Sequence, residues 1–178
     1  MPVQIGAPAH SFSNPTGLLS DCHRRIQMFL GALQSIAPRL ADSPTAELRN
    51  GLETALAYFR NAALKHNADE EESLFPRLRR IADPRAQAVL GKLATLEDEH
   101  RWAAPLHDEV DRLGSKYLSS GPLAAAEVDA FRSMVEGLVS MYREHIALED
   151  EVVFPCAADI LSPEDKAAIA GEMARRRE

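Results

Sequence analysis

The stretch His66-Asn67-Ala68-Asp69-Glu70-Glu71-Glu72-Ser73-Leu74-Phe75-Pro76 returns further down the chain as His145-Ile146-Ala147-Leu148-Glu149-Asp150-Glu151-Val152-Val153-Phe154-Pro155. Both copies read His, three residues, Glu, a second acid, a Glu, two more residues, then Phe-Pro. Each is preceded by a His-Arg pair, His23-Arg24 and His100-Arg101, at intervals of 43 and 45 residues to the motif histidine. Four histidines and two glutamates thus arrive in two matched sets. A chance scatter of the chain's 6 His residues would not produce that, so the pattern reads as a metal site built by internal duplication.

Outward from the motif, apolar residues recur at helical spacing. A first helix is expected over about 16–41, with Leu19, His23, Ile26, Leu30, Leu33 and Ala37 on one stripe. Ser43-Pro44 reads as the start of a second, Ser as cap and Pro in the first turn. Its stripe of Leu52, Leu56, Phe59, Ala63, His66 and Glu70 runs on to an end near Pro76. Asp83-Pro84 opens a third, with Val89, Leu93, Leu96, His100, Ala103, His107 and Val110 inward. Ser119-Ser120-Gly121-Pro122 breaks the chain, and a fourth helix aligns Phe131, Val135, Leu138, Tyr142, His145, Glu149 and Val152, ending near Pro155. Ser162-Pro163 caps a short last helix ending in Arg175-Arg176-Arg177. Four such stripes joined by short loops predict an all-α fold, an antiparallel up-down four-helix bundle with a short extra C-terminal helix. The expected organisation is a flexible arm over 1–15, the bundle over 16–158, and a helix with basic tail over 159–178.

Composition narrows the function. At 178 residues the chain is long enough to bury a full core. A net charge of −7 argues against nucleic acid as a partner, because neutralising phosphates takes a basic surface. No apolar run approaches the roughly 20 residues of a membrane span. The N-terminus lacks the pattern of a signal peptide. Two cysteines, Cys22 and Cys156, stand far apart and fit a reducing cytoplasm.

One imidazole per helix lies on an apolar stripe, and i and i+4 share a helix face. His66 with Glu70, and His145 with Glu149, therefore present a nitrogen and a carboxylate each to the bundle axis, joined by His23 and His100. Nitrogen with oxygen suits iron, manganese or zinc, whereas calcium and magnesium favour oxygen alone. Two buried carboxylates need cations to offset them. Both carboxylates bridging two divalent ions would give each ion about four protein bonds, leaving positions open for a small ligand. Glu97 is a candidate extra ligand or an acid just outside the ligand set, whereas His107, seven residues beyond His100 and about 10.5 Å along the axis, reads as a core histidine or one behind the site. Glu99 is expected beside the site, and Tyr142 either packs or bonds a metal-held ligand. Of the acidic run Asp69–Glu72, only Glu70 is expected to turn inward, the rest forming in part a solvated face. Cys22 reads as inert, His10 as a solvated arm residue, and the arginine triplet as a partner of the helix dipole.

On these residues the chain resembles the hemerythrin family of His-His-Glu cation-binding domains over about 16–158, the repeated Glu-rich stretch ending in Phe-Pro being a further shared mark. The resemblance implies a non-haem di-iron centre, with His23, His66, Glu70, His100, His145 and Glu149 at the family's ligand positions. Oxygen-carrying members have a second third-helix histidine where this chain has Ala104 followed by Pro105, and they take an aspartate five residues after the fourth-helix histidine, a spacing at which Asp150 stands as an alternative to Glu149. The remaining set of four His and two Glu is similar to iron-centre repair proteins, which respond to nitric oxide and oxidative stress. A short arm stands here where those often carry a cysteine-bearing domain. The implied ligands are a small diatomic, oxygen or nitric oxide, or peroxide. A redox catalyst and a non-catalytic iron or oxygen sensor or store both remain open, as does a structural zinc site.

Overall fold

The stripes read from the sequence become five helical rods in the computed structural model, which describes residues 9–178. Helix α1 spans Pro15–Ile36 and tightens into a 3₁₀ segment, Ala37–Ala41. Helix α2 covers 46–80 as α-helix Ala46–Tyr58, a wide π turn Phe59–Ala63, α-helix Leu64–Ala68, a second π turn Asp69–Leu74, and α-helix Phe75–Arg80. Helix α3 is Pro84–Ser120. Helix α4 covers 125–160, as Ala125–Leu148, a π turn Glu149–Val153, and Phe154–Ile160. Helix α5 is Pro163–Arg175. There are no strands among the described residues. The arm expected over 1–15 lies outside the described residues for its first eight positions. At its near end Asn14 caps α1, accepting from Gly17 N–H at 3.0 Å.

Several boundaries follow the expected signals. Asp83 and Ser162 accept N–H groups of the first turns of α3 and α5. Gly121 ends α3 at φ 89°, a left-handed conformation that glycine adopts without a Cβ penalty. Other boundaries differ. The cap of α2 is Thr45, whose hydroxyl accepts from Leu48 N–H at 3.2 Å, so Ser43-Pro44 lies ahead of the helix. Pro76 and Pro155 do not end their helices, which continue to Arg80 and Ile160. Each proline is the second residue after a π turn, where Phe75 N–H reaches Glu70 C=O and Phe154 N–H reaches Glu149 C=O across five residues. The wider turn absorbs the missing proline donor that a regular helix would not tolerate cheaply. Pro105 likewise sits within α3 without ending it.

Helix α1 packs on α2 and α4, and α3 packs on the same two. The four thus surround one interior, a helical bundle. That interior has two apolar parts. One is built on Ile26, Leu33, Leu52, Leu56, Leu113, Phe131 and Leu138, the other on Leu19, Leu74, Phe75, Leu93, Leu96, Val153 and Phe154. Helix α5 adds Ile169 and Met173 to the second part. Along every rod the metal-type residues fall between the two. His23 follows Leu19 and precedes Ile26, and His100 stands between Leu96 and Ala103. The stripes therefore sandwich a polar layer between two dry ones, and burying apolar surface on both sides holds that layer out of water. No helix among the described residues is long and apolar enough to cross a membrane.

Candidate metal centre

The polar layer contains six side chains from four helices: His23, His66, Glu70, His100, His145 and Glu149, all buried. They form two groups, His23–His66–Glu70–Glu149 and Glu70–His100–His145–Glu149. In each group the four potential ligand atoms lie within 4.8 Å of one another. Both carboxylates belong to both groups. The Nε2 atom of His66 is 3.0 Å from Glu70 Oε1, and that of His23 is 3.1 Å from Glu149 Oε2. On the other side His145 Nε2 is 3.3 Å from Glu149 Oε2, and His100 Nε2 is 3.6 Å from Glu70 Oε2.

Three of the four rings are fixed from behind. Asp150 Oδ1 lies 3.0 Å from His23 Nδ1 and also accepts from Ser20 Oγ at 2.7 Å. Glu71 Oε1 lies 2.7 Å from His100 Nδ1, and Glu99 Oε2 lies 2.8 Å from His145 Nδ1. Each carboxylate fixes the tautomer, leaving Nε2 as the inward lone pair. The fourth ring, His66, has no partner on Nδ1. Phe154 stacks on His23 at 5.3 Å and holds its plane.

The inward atoms are left without aligned hydrogen bonds: His23 Nε2 and all four oxygens of Glu70 and Glu149. Buried polar atoms are nearly always bonded. Orphans at the focus of four helices are what a donor set for cations looks like, so the residues fit metal ions. With protons as the only counter-ions the two carboxylates titrate apart. Burial, then the nearby Glu149, pushes Glu70 well above the usual carboxylate range. Burial acts the same way on Glu149, but the imidazoles of His145 and His23 close beside it overcome burial and hold its carboxyl low. His66 is pushed well below the usual imidazole value by burial and by His23 beside it. Burial disfavours protonated His23 too, but Asp150 and Glu149 outweigh it and raise the group to about 9. A metal ion binding here displaces protons.

The remaining candidates separate cleanly. Glu149, not Asp150, faces the cluster; Asp150 turns to the back of His23. Glu97 points away and pairs with Arg79 at 2.8 Å. His107 is outside both groups, its Nε2 3.1 Å from the Tyr142 hydroxyl. Tyr142 therefore packs edge-on to His145 and bonds His107. Two expectations are overturned. Glu70 is not the one inward acid of its run, since Asp69 is fully buried and Glu71 meets His100. The C-terminal arginines do more than face a helix dipole: Arg176 and Arg177 bind the two Asp69 oxygens at 2.9 and 2.6 Å. His10 is exposed, as expected, and its backbone N–H and ring both meet Asp21.

Sequence reasoning missed Glu71 and the arginine clamp. A signal for the first was present, since Glu71 and Asp150 are the same position of the duplicated motif and both are acids. No match to this chain is found among curated proteins. The Hemerythrin HHE cation binding domain family, by contrast, matches residues 14–157. Those residues contain every member of the two His–Glu groups, and the chain belongs to the hemerythrin HHE cation-binding family.

Proposed function

We propose that the six side chains hold two iron ions in a non-haem, carboxylate-bridged centre that binds or reacts with oxygen, peroxide or nitric oxide. The observation that carries this reading is the sharing of Glu70 and Glu149 between two four-residue groups. A single ion would leave half of the imidazoles without a use. His23 and His66 would hold one ion, His100 and His145 the other, with Glu70 and Glu149 common to both. Four neutral imidazoles and two carboxylates offset two divalent charges only in part, so bound small anions or electron-rich ligands are favoured. The mixed nitrogen and oxygen set suits iron among the available metals. When bound, paired irons supply electrons one at a time to a small oxidant. The protein's own contribution is to fix the rings through Asp150, Glu71 and Glu99 and to exclude water with apolar layers on both sides.

Short connections over 81–83 and 121–124 support an antiparallel up-and-down order for the four rods. Ala104 in place of a further third-helix histidine leaves a coordination position open next to His100, which favours reaction over reversible storage. A role in oxidative or nitrosative stress and iron handling, in the cytoplasm and without nucleic acid or membrane as partner, is consistent with the acidic charge and the chemistry of the site. The alternative is an iron or oxygen sensor or store without turnover.

Metal analysis and an optical spectrum test the reading together. The protein is loaded anaerobically with two equivalents of ferrous iron, exposed to oxygen, then flushed with argon. Two irons per chain and a charge-transfer spectrum that persists under argon support a redox centre. A spectrum that vanishes under argon supports storage or sensing. One iron or none per chain overturns the proposal.

A further inference from the structure

The duplicated halves match at the two clusters and diverge just beyond them. Helix α2 carries an extra π turn, Phe59–Ala63, ahead of His66, whereas the equivalent stretch of α4 lies in regular helix within Ala125–Leu148. Such turns inside helices concentrate at functional sites. Three residues before the motif histidines stand Ala63 in one half and Tyr142 in the other. Seven residues after the paired histidines stand Leu30 and His107. The result is a one-sided cavity of about 260 Å³, open to solvent, with Phe59, Ala63, Ala103, Ala104, His107 and Tyr142 in its wall. Of the six clustered side chains, His100 lines it.

Its size and lining identify an occupant. An apolar cavity of about 150 Å³ accommodates benzene, so this one exceeds the needs of a diatomic by a wide margin. Two buried polar atoms among its lining residues have no partner, Asn67 Oδ1 and His107 Nδ1. Phe59 stacks on the His107 ring at 4.7 Å, and the Tyr142 hydroxyl occupies its other nitrogen. Burial drops the His107 imidazole to about 4, so it is neutral at pH 7 and offers no charge to an anion. At the rim Arg60 is consumed by Asp111 at 2.5 Å and Ser115 at 2.7 Å, with Asp108 adding a further negative charge. Apolar walls, two orphan hydrogen-bonding atoms and no free cation among the lining residues leave the cavity wall itself without a partner for an anionic group.

The geometry points to a binding site for an uncharged, mostly apolar organic molecule about the size of a substituted benzene. Its single oxygen-bearing group would be hydrogen-bonded at Asn67 or His107, beside His100. This deepens the proposed function and rests on it for the chemistry alone: the class of substrate becomes small organic molecules with a terminal oxygen function, an organic hydroperoxide among the peroxides.

The test uses 4-fluorobenzyl alcohol as probe, followed by fluorine NMR on the full chain loaded with zinc, which is diamagnetic and redox-inert. Saturable shift or broadening is expected, weakened at least tenfold in Ala104→Phe, a change at an exposed position of the rim, and in Ala63→Leu, which fills the interior. Zinc content, measured on the same samples, should equal that of the unaltered protein. Absence of saturation, or binding by both variants as tight as by the unaltered protein, overturns the cavity assignment whatever the metal content. Metal content below two ions with intact probe binding counts instead against the two-metal reading and leaves the cavity standing.

Discussion

The two halves of the bundle repeat the same ligand pattern but support it differently. Each half lends a carboxylate to the other: Glu71, next to Glu70, holds the ring of His100, and Asp150, next to Glu149, holds the ring of His23. This exchange ties the halves together at the level of the rings. Behind the rings the symmetry then breaks at one position. Glu99, just before His100, holds His145, but the residue just before His23 is Cys22 and the His66 Nδ1 atom is left unpartnered. Burial pushes the Cys22 thiol up, so it offers no charge in a carboxylate's place. A carboxylate behind an imidazole raises its basicity toward a metal. The His100–His145 position therefore has two strengthened nitrogens and the His23–His66 position one, and the first should fill before the second.

The largest effect is expected where the halves meet. Glu149→Ala removes a carboxylate common to both groups, and metal content should fall to less than half of that in the unaltered protein. His66→Ala and His145→Ala should each lose at least about one ion, while His107→Ala keeps both. Metal analysis after dialysis reads all four, and full retention in either cluster histidine variant would remove it from the ligand set.

Next in size is the clamp that belongs to one half. Asp69, just before Glu70, is fully buried and held by Arg176 and Arg177, while Arg176 also reaches Ser73 at 2.9 Å and Glu72 at 3.0 Å. Arg77 adds a two-pronged pair with Glu172, both contacts 2.9 Å. The equivalent of Asp69 in the second half is Leu148, which packs against the apolar layer. One π turn is thus held by charge and the other by apolar contact. Asp69→Asn takes the buried charge partner from two arginines that are themselves partly exposed, one of which keeps Glu72, so the cost should be about 2–3 kcal/mol, less than for a fully buried pair. Urea unfolding at two salt concentrations measures it, and Leu148→Ala gives the salt-independent counterpart. Equal salt dependence in the two variants would erase this distinction.

Smaller still is the effect of the broken symmetry itself. Glu99→Ala should weaken metal binding at the His100–His145 position by about 10–100-fold, whereas Cys22→Ala should leave affinity unchanged. Competition with a chelator of known affinity resolves the two steps. If Glu99→Ala weakens the later step rather than the earlier, the filling order is the reverse of the one argued.

These contrasts also explain what the chain revealed before folding. The stripes and the six clustered side chains were legible because helix period and duplication are both local facts. Asp83 and Ser162 announced their helices through side chains that reach their own first turns. Ser43-Pro44 misled because Thr45, one step on, offers the same hydroxyl chemistry. Pro76 and Pro155 read as ends because a π turn leaves no mark in composition. The backs of the rings, the arginine clamp and the cavity depend on side chains from separate helices. The matching acids Glu71 and Asp150, and Glu99 beside His100, hinted at the first of these alone.

The finest contrast is between His107 and its counterpart Leu30, and pH exposes it. Burial lowers His107 to about 4 in the folded chain, against about 6.5 when unfolded. Between those values the unfolded chain takes up the proton and the folded chain refuses it. The stabilisation is therefore fully present above about pH 6.5 and is lost as pH falls toward 4. Because the ring borders an open cavity, the loss should amount to about 1–2 kcal/mol, short of the full value for the shift. Denaturant midpoints of the metal-free protein from pH 7 to 4.5 should decline less steeply in His107→Leu, which imports the other half's residue, than in the unaltered chain. The clustered histidines titrate in both proteins and cancel in the comparison. Identical slopes would mean that His107 is already protonated in the folded bundle, and that the cavity beside it is wetter and more polar than its walls imply.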